Sequence, residues 1–157
     1  MNRLGMALLT LVLWTGGCAT VSLIPGTKVP DNKINREILD VCERYRHAME
    51  DRDATTLLSL AHPNYYEDSG TPLASDDYGY EGLKDVLQKR ISALKTLRYN
   101  IEYRHVNVEG HHAQVDIRYD ASFQLATDMG DRWERKQNDK RLELENDGRR
   151  WLIIAGM

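Results

Sequence analysis

The sequence predicts a single α+β domain in which helices come first and an antiparallel meander follows. Three observations predict it. Apolar residues recur at helical spacing up to about Leu94, the period then changes to two, and hairpin-type turn residues separate the alternating stretches. In front of this domain stands a leader of a different character.

The leader carries Arg3, an apolar run from Met6 to Trp14, and then Thr15-Gly16-Gly17-Cys18. A positive start, a short apolar segment and small residues at the cut are the three parts of a secretory signal. The run is too short to span a bilayer, which takes about 20 apolar residues. A cysteine directly after Gly16-Gly17 resembles the lipobox of bacterial lipoproteins, in which that cysteine is lipidated and becomes the mature N-terminus. Thr15 stands where that pattern usually has Leu or Val, and a plain cleaved signal with an incidental cysteine is the competing reading. By Gram-negative sorting, Ala19 after the cysteine implies the outer membrane, facing the periplasm. The expected organisation is a lipoprotein signal peptide over residues 1–17, a tether over 18–33, and the α+β domain over 34–157.

About 140 residues remain without the leader, one ordinary domain that buries about two thirds of its unfolded surface. It needs no metal or disulfide to hold together. With Cys18 lipidated, Cys42 has no partner, and its place on the apolar side of a helical pattern points to packing rather than reactivity. The formal charge of the 157-residue chain is −3, and it falls by one when Arg3 leaves. Basic and acidic residues are interspersed, so neither a polybasic membrane patch nor a nucleic-acid face is expected. Ala19 to Lys33 contains Pro25, Gly26 and Pro30 without periodicity, as a tether does.

From Ile34 to Arg52, the residues Ile34, Ile38, Val41, Cys42, Tyr45, Ala48 and Met49 form one apolar face of a helix. Asp53 is placed to cap a short second helix, Ala54 to Ala61, which Pro63 ends. Asn64 to Asp68 reads as a short strand and Ser69 to Gly79 as a loop. A third helix is predicted from Tyr80 to Leu94, with Leu83, Val86, Leu87 and Ile91 on one side. Beyond Lys95, Tyr99, Ile101, Tyr103 and His105 alternate with Arg98, Asn100, Glu102 and Arg104. Glu109-Gly110 turns the chain into a strand from Ala113 to Leu125 with one face buried. Asp128 to Asp131 reads as the next turn. Trp133 to Glu145 is a heavily charged strand with Leu142 and Leu144 inward. Asn146-Asp147-Gly148 is a hairpin turn, and Trp151 to Ala155 closes the sheet.

Two stretches resemble a known superfamily. Val41-Cys42-Glu43-Arg44-Tyr45, then Asp53, Leu57-Leu58-Ser59-Leu60 and Tyr66-Glu67-Asp68 look like the opening of the nuclear-transport-factor-like superfamily, which includes ketosteroid isomerase and the polyketide cyclases. Leu142-Glu143-Leu144 and Asp147-Gly148-Arg149-Arg150-Trp151-Leu152-Ile153-Ile154 resemble its last hairpin. The resemblance implies a cone-shaped domain, with N-terminal helices packed in a strongly curved antiparallel sheet around a cavity. It also implies positions. Tyr45 lies where ketosteroid isomerase has its oxyanion-polarising tyrosine, and Asp68 where it has its proton-shuttling aspartate. The acid that supports the oxyanion falls near Lys140 or Arg141, neither of which is an acid.

Taken on their own chemistry, Glu67 and Asp68 also read as turn-solvating carboxylates, and Tyr45 as a core tyrosine with its hydroxyl satisfied. Tyr66, Tyr78, Tyr80, Tyr119, Phe123 and Trp133 are candidates for the cavity or its rim. Asp76 and Asp77 beside Glu67 and Asp68 lack calcium-loop spacing, and His111-His112 has no ligand partner at zinc spacing, so no metal and no cofactor is expected. The charges Arg135, Lys136, Lys140 and Arg141 against Glu134, Asp139, Glu143 and Glu145 read as a solvated outer face, with homodimerisation through that face as the minority reading. The favoured function is a non-enzymatic, outer-membrane-anchored module that binds an envelope protein or a small apolar ligand. The alternative is a proton-transfer enzyme on a small cyclic or carbonyl substrate, with Tyr45 as polariser and Asp68 as base.

Overall fold

The computed structural model describes residues 21–68, 75–127 and 130–157; Cys18 lies outside them, as do most of the Ser69–Gly79 loop and Asp128 of the expected turn. The first helix starts where the Asn32 side chain accepts the Asn35 N–H at 2.9 Å, and α1 runs Lys33–Asp51. Arg52 ends it in the left-handed region at φ 56°, returning its N–H to the Ala48 and Met49 carbonyls. Asp53 accepts the Thr56 N–H at 3.0 Å and so caps α2 (Ala54–Leu60), as its side-chain chemistry predicts.

Two short strands, β1 (Tyr66–Glu67) and β2 (Tyr78–Gly79), pair antiparallel before α3 (Tyr80–Ser92). The expected loop therefore ends in a strand. β3 (Leu94–Glu109), β4 (His112–Thr127), β5 (Gly130–Asn146) and β6 (Trp151–Ala155) then form one antiparallel sheet in chain order. Gly130 and Asp131, expected in a turn, already pair with Thr127 and Ala126.

The alternation in β3 breaks at one point. A register shift between Tyr103 and His105 moves His105 opposite Asp116, away from the face of Tyr99 and Tyr103, and Val106 takes the buried place against Val115. The segment before α1 is also more than a tether. Leu23 bridges Pro30, Val29 is fully buried, and the Lys28 N–H donates to the Tyr103 carbonyl at 3.2 Å.

The core forms where α1 lies across the sheet. Ile38, Val41, Cys42, Tyr45 and Ala48 face Tyr99, Tyr103, Val115, Ile117, Leu142 and Leu144, all of them buried. Both sheet edges are covered by hydrogen bonds from outside the ladder. On β3 the Tyr99 N–H donates to Glu50 Oε1 at 3.0 Å, and on β6 the Ile153 carbonyl accepts the His62 N–H at 2.8 Å. Glu50 is itself held by Arg46, which also binds Glu43, the acceptor of the Tyr103 hydroxyl at 2.7 Å. No helix among the described residues is long and apolar enough to cross a membrane.

Past β6 the chain turns at Gly156, whose φ of 88° suits glycine and whose added Cβ would overlap the Arg141 carbonyl oxygen. Gly156→Ala is expected to cost about 2 kcal/mol or more in urea denaturation, because strain and overlap act together. A loss below about 0.5 kcal/mol would show that this turn relaxes freely.

Candidate functional site

The inner face of the sheet is fixed by register. Opposed residues of β4 and β5 share a face, so the buried Val115, Ile117 and Ala121 place Leu142, Lys140 and Lys136 on the same concave side. Tyr99 and Tyr119 stack there at 5.4 Å between ring centroids, with planes 24° apart. Tyr45 on α1 meets Tyr99 edge to face at 6.0 Å. The three rings make a tyrosine floor.

Tyr45 is 1% exposed. Burial pushes its phenol well above the usual tyrosine range, and the neighbouring Tyr99 adds to that, so the hydroxyl stays protonated. Tyr99 is pushed up to about 12, chiefly by burial. Cys42 is fully buried behind them and its thiol is pushed up by desolvation, which leaves it inert.

Above Tyr45 lies Lys140, with its Nζ 5.9 Å from the ring centroid. It is half-buried, and neither a hydrogen bond nor an ion pair links it to another described residue. Desolvation lowers its pKa to about 8; Glu67 partly opposes the shift, while Arg90 and Lys136 add to it. Glu67 is tied down on β1. Its Oε2 accepts the Tyr65 hydroxyl at 2.5 Å and the Gly156 N–H at 2.8 Å, and the Tyr65 oxygen accepts the Met157 N–H at 3.1 Å. Tyr78 stacks on Tyr65 at 6.4 Å; burial raises its pKa, and the nearby Arg90 of α3 opposes the shift.

The expected site residues separate. Tyr45 and Tyr119 belong to the floor, Tyr78 to its rim, and Phe123 shares the concave face opposite Leu97 and Glu134. Asp68 is exposed beyond β1, and the carboxylate that acts on the interior cation is Glu67. Tyr66 is 54% exposed and donates its hydroxyl to Asp77 at 2.7 Å. Tyr80 lines a different cleft, with His62 and Leu152. Trp133, 56% exposed, pairs with Gln124 on the convex face, where alternation sends it; it does not fill the cone.

Half of the charged strand also needs correction. Arg135 and Arg141 do form outer-face pairs, with Asp120 and Asp116, but Lys136 and Lys140 lie on the inner face. Parity with Leu142 and Leu144 carried that information; the density of charge along the strand obscured it. Among the described residues, no group of three or more His, Cys, Asp or Glu is placed to hold a metal.

No protein-family model matches the chain, and no curated protein matches it. Solved structures do. A conserved protein from Planctomyces limnophilus aligns with TM-score 0.66 at 11% identity, covering 78% of this chain and 92% of that one. A proposed aromatic ring hydroxylase from Novosphingobium aromaticivorans gives 0.66 at 16%, covering 80% and 89%. A proposed dehydratase of the NTF2-like family from Streptomyces avermitilis gives 0.64 at 16%, covering 78% and 92%. The chain has the NTF2-like fold. At these identities the likeness carries architecture and no activity. Of Lys140 and Arg141, between which the resemblance implies an oxyanion-supporting acid, Lys140 lies on the concave face and Arg141 on the convex one.

Lys140 makes stability depend on pH. Below pH 8 it is protonated in both states, and the folded protein bears the desolvation cost. Between about 8 and 10.5 the folded state releases the proton first, the unfolded state binds more protons, and stability rises. Lys140→Met is therefore expected to stabilise the fold by on the order of 1–3 kcal/mol at pH 7, an advantage that shrinks towards pH 10. Tyrosine and Cys42 ionisation, which oppose stability at high pH, cancel in the difference between variant and parent. A difference that is constant with pH in urea denaturation would refute the desolvated ammonium.

Proposed function

We propose that this chain is a lipid-anchored envelope domain that binds a small apolar, ring-bearing ligand on the concave face, and that it is not a proton-transfer isomerase. The observation that carries the reading is the tyrosine floor with a lysine above it that no described residue pairs with. Stacked and edge-to-face rings offer flat apolar area with little conformational freedom to lose on binding. Tyr119 is half-buried, so the floor is open to an occupant at the end away from Tyr45.

The isomerase alternative lacks its parts. A proton-abstracting carboxylate needs a partly desolvated place against the substrate, and Asp68 is exposed. Tyr45 is buried against Tyr99, and neither Lys140 nor Arg141, where the supporting acid is expected, can be a neutral carboxyl donor. The anchor rests on the leader and Cys18, with the outer membrane facing the periplasm as the destination implied by Ala19.

Two experiments test this reading. Cys18→Ala is expected to abolish metabolic labelling by a fatty acid; labelling that persists would remove the lipoprotein assignment. Naphthol is expected to bind the mature chain and change tyrosine fluorescence, with Tyr119→Ala weakening it by about tenfold, or about 1.4 kcal/mol. Unchanged affinity in that variant would place the ligand elsewhere.

A further inference from the structure

The surroundings of Lys140 set it apart from the surface lysines. It projects from β5 onto the concave face opposite Ile117, its Nζ sits 5.9 Å over the Tyr45 ring, and no described carboxylate pairs with it. Each element packed around it supplies a charged or titratable neighbour: Tyr45 from α1, Glu67 from β1, Arg90 from α3 and Lys136 from β5 itself. Two of these are cations. Glu67, the carboxylate that faces it, is already engaged by the Tyr65 hydroxyl and the Gly156 N–H. Desolvation and the neighbouring cations drive this amine towards its neutral, nucleophilic form, against the pull of the Tyr45 ring face on the ammonium.

We propose that Lys140 is a carbonyl-condensing amine, and that the ligand of the concave face is an aldehyde or ketone on a ring-bearing body, held as a reversible imine. The inference rests on the ring-binding reading above and names the ligand class for the same site. The Nζ lone pair adds to the carbonyl carbon and gives a carbinolamine. The two N–H hydrogens then leave with the carbonyl oxygen as one water, and a C=N bond remains. No oxidant or reductant takes part. Tyr119, the half-buried ring of the floor, holds the ring body while the amine takes the carbonyl, which limits the reaction to carbonyls carried on such a body. The lowered amine pKa, about 8 from desolvation, makes the neutral form available at mildly alkaline pH, where surface lysines remain charged.

The test uses the mature full chain, naphthaldehyde as probe and cyanoborohydride to reduce any imine, with peptide mass spectrometry to locate the adduct. Lys140 is expected to be labelled at least about tenfold faster than the exposed lysines Lys33, Lys84 and Lys95, with a rate that levels off near pH 8. Excess naphthol should suppress that adduct, and Lys140→Arg, checked by circular dichroism, should lose it while surface labelling stays unchanged. Naphthol binding together with labelling spread evenly over all lysines would overturn the imine and leave the ring-binding reading standing. Loss of both naphthol binding and selective labelling would overturn both, and selective labelling that naphthol does not suppress would overturn the shared site.

Discussion

The apolar stripe of α1 lies in the concave face of the sheet, and the position of every other group on that face follows from it. Burying Ile38, Val41, Cys42, Tyr45 and Ala48 against β3, β4 and β5 takes a large apolar area out of water. The polar residues of α1 then fall at its margins, where they have specific partners. Glu43 and Glu50 reach the Tyr103 hydroxyl and the Tyr99 N–H, and Arg46 holds both carboxylates in place. One helix thus supplies the core, closes the β3 edge and orients Tyr45 towards Tyr99.

The same packing creates the chemistry. A helix lying in a curved sheet excludes water from the strand positions that face it, and Lys140 occupies one of them. Apolar residues at such positions, Leu142 and Leu144 among them, are fully buried and stabilise the fold. A lysine there costs stability and must be explained by something other than folding. The junction of Gly156, Glu67 and Tyr65 adds to this. It fixes the facing carboxylate by two hydrogen bonds, so that Glu67 influences Lys140 from a distance without pairing with it. A site of this kind is polar at one end and aromatic at the other, the asymmetry that the proposed ring-bearing carbonyl shares.

The outer face shows the contrasting case. Asp116 with Arg141, and Asp120 with Arg135 and Gln137, satisfy one another across strands in full contact with solvent. Exposed pairs of this sort contribute little to stability. They keep the convex surface soluble, while Trp133 interrupts it as an isolated apolar group.

Local pattern in the sequence was enough for the class of the domain and the order of its helices and main strands, while the short strand Tyr78–Gly79 and the start of β5 escaped it. Helical periodicity, the Asp53 cap and the Asn146-Asp147-Gly148 turn act within a few residues of themselves, so neighbours in the chain carry them. The expected leader and Cys18 rest on the same kind of local code and lie outside the described residues. The site was legible only in part. Tyr45 could be placed because it belongs to an apolar stripe. Glu67 was passed over for Asp68 and Lys140 was read as solvated, since both owe their character to distant partners: the Gly156 turn for one, α1 lying over β5 for the other. The bulge at Tyr103 and His105 is set by pairing with β4, and its mark in the sequence is the shift of apolar residues from Tyr99, Ile101 and Tyr103 to Val106 and Val108. Burial and charge environment are properties of the assembled sheet, and only the tertiary structure decided which of many lysines stands over a tyrosine ring.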